Sequence, residues 1–334
     1  MPETLLSSQA VDLIVVERNG FIESRHRGAA VVVDAAGDIV SSLGDPQGLI
    51  YPRSSLKPFQ ALASMQSGVP LRGAEVALAC ASHIGSAEHM ELAKVMLHKA
   101  GLTEEDLGCP PSWPAHEGTR IDMVLDGEGK SKVAFNCSGK HAAFLWACTE
   151  NGWDTKTYLS PEHPVQQRVV EVVEQYSGEK ISHLGVDGCG APVPAISLAG
   201  LARAASKLAQ APGDKHSEAR AATIATAMLD YPWAVQGHGL PNTVVMEELG
   251  VLAKLGAEGV LVLAAPNGTA VAVKMLDGSG RGTDMLGLTM LARAGAITDE
   301  QLASILPKIS RPILGGPVPV GSVRLADGVM ELLG

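Results

Sequence analysis

Aromatic side chains are scarce in this chain of 334 residues: four Trp, four Tyr and four Phe make up 4% of it. A core must therefore be built from Ala, Val, Leu and Met, and an apolar content of 46% supplies enough of them. Cysteine is also sparse. The five residues Cys80, Cys109, Cys137, Cys148 and Cys189 are odd in number and widely spaced, which excludes a disulfide framework. A basic surplus is missing as well: 26 Lys and Arg against 36 Asp and Glu leave a formal charge of −10, with no cationic stripe. Neither nucleic acid nor an anionic membrane surface is an expected partner of such a chain. No uninterrupted run of about 18 apolar residues occurs; the nearest, Gly259 to Leu276, is broken by Pro266-Asn267-Gly268. The opening Met1-Pro2-Glu3-Thr4 lacks the basic and apolar parts of a signal peptide. With 19% charged residues and a positive mean hydropathy the chain does not read as disordered. The expectation is an acidic, soluble, cytoplasmic protein of enzyme size.

What is present is first a β pattern, then a helical one, then β again. Val11 to Glu17 is an apolar run closed by Arg18-Asn19-Gly20, a hairpin turn signal. Gly28 to Val33 and Ile39 to Leu43 follow around the turn Asp34-Ala35-Ala36-Gly37. From Ser54 the period becomes helical: Ser54–Gln66, Ala87–Lys99, Lys140–Glu150 and Pro164–Tyr176 each end within two residues of a Gly. Helical pattern continues over Pro194–Leu208 and Glu218–Leu229. Strands return at Gly259–Ala264 and Thr269–Leu276, then a helix over Asp284–Ala294 and a strand near Ser322–Leu325. This order predicts an α+β fold with an antiparallel sheet assembled from both chain ends and packed with helices, not a doubly wound parallel sheet. No domain boundary stands out. The expectation is one unit over residues 1–334, with sheet at about 10–45 and 258–326 and a mostly helical stretch at 54–252.

Five short segments carry chemistry. In Arg53-Ser54-Ser55-Leu56-Lys57-Pro58, Ser54 and Lys57 are three apart and share a helix face. A neutral lysine so placed can take a serine's proton, although a helix cap beside a solvated lysine uses the same residues. Cys80-Ala81-Ser82-His83-Ile84-Gly85 places a Ser-His pair after the apolar run Val76–Ala79. Asn136-Cys137-Ser138-Gly139-Lys140-His141 and Asp187-Gly188-Cys189-Gly190 set two thiols in turns of small residues, where backbone N–H groups can approach a ligand. Two thiols with Lys140 or His141 as a third donor suggest zinc, but no Cys-x-x-Cys pair exists, and buried cysteines are often inert. Lys274 shares a strand face with Ala272 and Leu276, which points either to an active-site cleft or to a sheet edge. Taken together, the segments have the layout of serine acyl-transferring enzymes of the β-lactamase and penicillin-binding type, without their Ser-Asp-Asn and Lys-Thr-Gly motifs.

The first four of these segments, with Gly256-Ala257-Glu258-Gly259, closely resemble the Rhizobium etli-type (class 3) L-asparaginases, also called asparaginase II-like, from about Val11 to Leu291. The resemblance implies a serine β-lactamase-like fold, a homodimer, and hydrolysis of L-asparagine to L-aspartate and ammonia. It implies two catalytic Ser-Lys pairs, Ser54 with Lys57 and Ser82 with Lys274, and a zinc site of Cys137, Cys189 and Lys140. It also places His141 and Asp187 near the substrate. One stretch departs: in Gly237-His238-Gly239-Leu240-Pro241-Asn242-Thr243, Leu240 stands where the family has an Arg.

Amide hydrolysis needs a nucleophile, a base and an acid for departing ammonia. The expected assignment has Ser54 attack with Lys57 as base, and Ser82 with Lys274 as proton relay; the two pairs are interchangeable at this level. Asp187 is expected to take the substrate's α-ammonium, and Arg53 or the Gly188–Gly190 turn its α-carboxylate. Zinc is expected to anchor the two turns, with no organic cofactor. Two rival readings are a penicillin-recognising acyl transferase or hydrolase and a non-catalytic protein that binds zinc or an amino acid.

Overall fold

The computed structural model describes residues 3–333 and shows an α+β arrangement. Twelve strands occur among the described residues: β1 (Val11–Arg18), β2 (Phe21–Val33), β3 (Ile39–Leu43), β4 (Leu49–Ile50), β5 (Leu184–Val186), β6 (Pro192–Pro194), β7 (Ile196–Ser197), β8 (Leu252–Gly256), β9 (Val260–Ala264), β10 (Ala270–Met275), β11 (Ile313–Gly315) and β12 (Val318–Leu325). Eight form one antiparallel sheet in the order β11-β12-β1-β2-β10-β9-β8, with β3 on β2 beyond β1. The hairpin between β1 and β2 turns on Asn19 and Gly20, both with positive φ, as a tight two-residue turn requires.

Helices cover both faces. Leu261 and Leu263 face Gly287 of the helix Thr283–Arg293, while Val262 and Ala264 meet Ala205 and Leu208 of the helix Leu198–Gln210. The alternation of strand side chains thus serves two apolar layers, and β9 and β10 are buried throughout. Beyond the second layer, the helix Lys57–Gln66 lies among the helices Ser138–Asn151, Pro164–Ser177 and Ala219–Asp230. Ser138–Asn151 and Pro164–Ser177 end on left-handed Gly152 and Gly178, so the Gly stops in the sequence are C-caps.

Three expectations need correction. The first helical run begins as a 3-10 turn, Arg53–Leu56, before the helix Lys57–Gln66. The run expected from Pro194 is strand β7 before its helix starts at Leu198. Strand β8, at Leu252–Gly256, lies inside and beyond the stretch read as helical, and it forms one end of the main sheet.

Candidate active site

Four lysines are buried: Lys57, Lys140, Lys254 and Lys274. A buried ammonium is tolerable only when its donors are matched, so each has to be traced to its partners. Lys57 opens its helix, and its Nζ donates to the carbonyls of Ala81 (2.5 Å) and Asn136 (3.3 Å) and to Ser82 Oγ (2.9 Å). All three N–H donors are used. Lys254, on β8, reaches the same hydroxyl at 2.9 Å, and its other partner is the Leu255 carbonyl at 2.8 Å. Burial, with Lys57 alongside, holds the Lys254 amine well below the ordinary lysine range. Ser82 has a single proton to donate. Its oxygen accepts from both Lys57 and Lys254.

The segment that carries Ser82 is clamped on both sides. The Ser82 N–H donates to Val235 O (2.9 Å), the Ile84 N–H to Gln236 O (3.0 Å), and Ile84 O accepts from the His116 N–H (2.7 Å). His83 accepts the Gly85 N–H at Nδ1 (3.1 Å) and donates from Nε2 to Ser138 Oγ (2.9 Å), which itself donates to Val133 O (2.9 Å). That network fixes the tautomer, and burial holds the ring neutral. His83 is therefore a clamp between two loops. The neighbouring Cys80 thiol is pushed up to about 12 by burial and is inert.

Ser54 sits half-buried in the 3-10 turn, and among the described residues its hydroxyl makes no hydrogen bond. Lys57 turns away from it to Ser82. Lys274 is not brought to Ser82 either; its Nζ donates to the carbonyls of Glu258 (2.6 Å) and Met275 (2.5 Å). Strand β10 is flanked by β2 and β9, so Lys274 does not guard a sheet edge. The register explains the exchange. Lys254 pairs with Val262 and Val262 with Ala272, whereas Lys274 pairs with Val260 and Val260 with Gly256. Paired residues share a sheet face, so both lysines point to the same side, one row apart. The row of Lys254 is the one at Ser82. A lysine alternating with Leu252 and Gly256 was the signal available in the sequence; two glycines had cut its run to five residues.

Arg53 and Asp187, expected to bind a substrate's two charged ends, bind each other. Arg53 Nε and Nη2 both lie 2.8 Å from Asp187 Oδ1, which also accepts the Gly188 N–H at 2.8 Å. Burial opposes the Asp187 charge, but Lys140 and Arg53 outweigh it and hold the carboxyl below its usual range. His141 is fully buried; its Nδ1 lies within hydrogen-bond distance of Tyr158 Oη (2.6 Å), which accepts the Gly108 N–H (2.8 Å). Among the described residues its Nε2 has no partner. Burial and Lys140 keep the ring neutral.

Cys137, Lys140 and Cys189 do converge. Cys137 caps the helix that carries Lys140, and Lys140 Nζ lies 3.1 Å from Cys189 Sγ. A hydrogen bond from Cys189 draws the Cys137 thiol well below its ordinary pKa, and the same bond, with burial, raises that of Cys189. Among the described residues no group of three or more His, Cys, Asp or Glu stands together as a metal site. Two thiols and one amine nonetheless make a donor set of the kind that zinc accepts. The residues fit the ion.

No curated protein matches the chain. Among solved structures, the chain is similar to a protein described as Mglu in its native form, with 14% identity and a TM-score of 0.45. The match covers 81% of this chain, which spans 64% of the length of that protein. The model of the family described as L-asparaginase II matches residues 14–325, nearly the whole chain. The chain is a member of the L-asparaginase II family.

Proposed function

We propose that the protein hydrolyses the side-chain amide of L-asparagine through a serine activated by lysine, on a β-lactamase-like layout. The observation that carries this reading is Ser82 Oγ held between two buried lysine amines at 2.9 Å each. Serine is not nucleophilic at its free pKa and needs an adjacent base. Lys254, whose pKa is depressed by burial, takes the Ser82 proton as Oγ attacks the amide carbon. Lys57 is the cation beside the developing negative charge; the Ser82 N–H, engaged by Val235, does not contribute. The proton on Lys254 then passes to the departing nitrogen, which leaves as ammonia. A β-aspartyl ester on Ser82 remains; water, deprotonated by Lys254, attacks it, the bond from Ser82 Oγ to the acyl carbon breaks, Oγ takes the proton back from Lys254, and aspartate leaves. The nucleophile is thus moved from Ser54 to Ser82, and the partner of Ser82 from Lys274 to Lys254.

Cys137, Cys189 and Lys140 would hold zinc. The ion supplies a tether for the turn of Asp187-Gly188 and the start of the helix with His141. Two thiolates donate strongly and leave a weak Lewis acid, so anchoring is the role assigned to it. A second copy of the chain, as a homodimer, remains part of the same proposal.

Ammonia release from L-asparagine, L-glutamine and β-aspartyl dipeptides, measured side by side, tests the reading. Turnover of L-asparagine well above the others is expected. Covalent labelling by a β-lactam without ammonia release from any of them would replace it with the penicillin-recognising alternative.

A further inference from the structure

Only three non-glycine residues among those described have a left-handed backbone: Asn19, Arg53 and Glu258. Asn19 is explained by its hairpin turn. The other two are long charged side chains, for which this conformation is unfavourable, and strain of this kind collects at functional sites. They face each other. Arg53 Nη1 lies 4.0 Å from Glu258 Oε1, too far for a hydrogen bond.

The guanidinium explains the gap. Its Nε and Nη2 edge is taken by Asp187, which leaves Nη1 as the free donor. Asp187 Oδ1 accepts the Arg53 Nε–H and the Gly188 N–H and has Arg53 Nη2 at 2.8 Å, so that oxygen is already satisfied. The Glu258 carboxylate makes no hydrogen bond among the described residues, and its side chain is 64% exposed. It is nevertheless held in place. Lys274 Nζ donates to the Glu258 carbonyl (2.6 Å), and the Met275 N–H donates to Gly259 O (2.9 Å). Its Oε2 rests over Gly278, where a Cβ would come within 2.6 Å. An unbonded carboxylate thus stands beside a free cationic donor.

We propose that Glu258 is a specificity-determining residue that receives the α-ammonium of an α-amino acid whose α-carboxylate sits on Arg53 Nη1. The proposal rests on the amidohydrolase reading for its substrate class and names the group that selects it. Lys274 is then a positioning residue: it holds the strained turn that presents Glu258 and takes no part in proton transfer.

Succinamic acid, which is asparagine without its α-amino group, separates the two charges. Steady-state kinetics on both compounds should show that Glu258→Gln lowers kcat/KM for L-asparagine about 10- to 100-fold, through KM, the factor carried by one charge-assisted hydrogen bond. The preference for L-asparagine over succinamic acid should shrink by the same factor, and Glu258→Asp should restore part of it. Lys274→Met should also act through KM. Equal losses on both compounds, or an unchanged preference, overturn the proposal. Calorimetric binding of both compounds to the Ser82→Ala protein, with and without Glu258→Gln, decides the matter even if the wild type releases no ammonia. There, a preference for L-asparagine that Glu258→Gln abolishes supports the assignment although the catalytic reading has failed, and absence of any preference overturns it.

Discussion

Around Ser82 the polar groups are buried and nearly all matched: Lys57 uses three donors, His83 both ring nitrogens, and the flanking backbone is paired. Around Arg53 the groups are half exposed, the backbone is strained, and a donor and an acceptor face each other across 4.0 Å without bonding. The first region is organised before any ligand arrives, and low dielectric gives its charges weight. The second has bonding capacity left over, which is what recognition of a charged molecule requires. The contrast teaches a division of labour: chemistry at Ser82, selection at the rim.

The largest effect should come from the buried region. Ser82→Ala and Lys254→Met are each expected to lower kcat roughly a thousandfold or more, with KM changed much less. Ser54→Ala, at the rim, should cost far less. A folded Ser82→Ala protein with near-normal ammonia release, beside a dead Ser54→Ala protein, would return the nucleophile to Ser54 and break the comparison.

The pH profile probes the same region. The base must be neutral, and the Lys254 pKa is depressed, so activity is retained above that depressed value and lost as pH falls through it. The acid limb of kcat should therefore lie well below the ordinary lysine value near 10.4. Lys57→Met removes a cation that depresses Lys254, and the limb of its residual activity should move to higher pH. An acid limb that stays near the ordinary lysine value, or one that Lys57→Met leaves in place, would count against Lys254 as the base.

Much of this was legible in the chain, and the gaps have physical causes. Strands such as Ile39–Leu43 and helices such as Ala87–Lys99 follow from period and glycine stops, because local pattern and burial agree there. Ser82, Lys57 and the two thiols stood out as polar residues in turns or apolar surroundings. The pairing of lysines with Ser82 was not legible, since it depends on how β8, β9 and β10 align: two buried lysines on one sheet face differ by a single row. Glu258 looked like one member of a glycine-rich turn, because backbone strain leaves no mark in composition. The ion pair between Arg53 and Asp187 joins residues 134 apart.

The thiol cluster lies between the two regions, close to Asp187 on one side and to Asn136 and Lys57 on the other. Stoichiometric zinc is expected by elemental analysis of the wild type and should be lost in Cys137→Ser. If zinc anchors, Cys137→Ser or chelation should raise KM about tenfold and lower kcat less. Metal-free protein that binds L-asparagine normally but does not turn it over would place the ion with the chemistry instead.

The smallest effects come from two glycines, and they sharpen the contrast most. A Cβ at Gly256 would lie 2.6 Å from Pro52 O and 3.4 Å from Ser55 N, so Gly256→Ala must displace the turn that carries Arg53. A Cβ at Gly139 would lie 2.4 Å from Leu78 O, so Gly139→Ala must part the helix Ser138–Asn151 from the helix Ala74–Ala79, which leads into Ser82. Both contacts are with backbone and cannot be relieved by a rotamer change, so each substitution should destabilise the fold by about 1–3 kcal/mol in denaturant unfolding. The kinetics should part company: Gly256→Ala should raise KM several-fold with kcat nearly kept, and Gly139→Ala should lower kcat with KM nearly kept. If both substitutions instead lower kcat alike, the rim and the buried centre move as one body, and the division of labour drawn from their geometry does not hold.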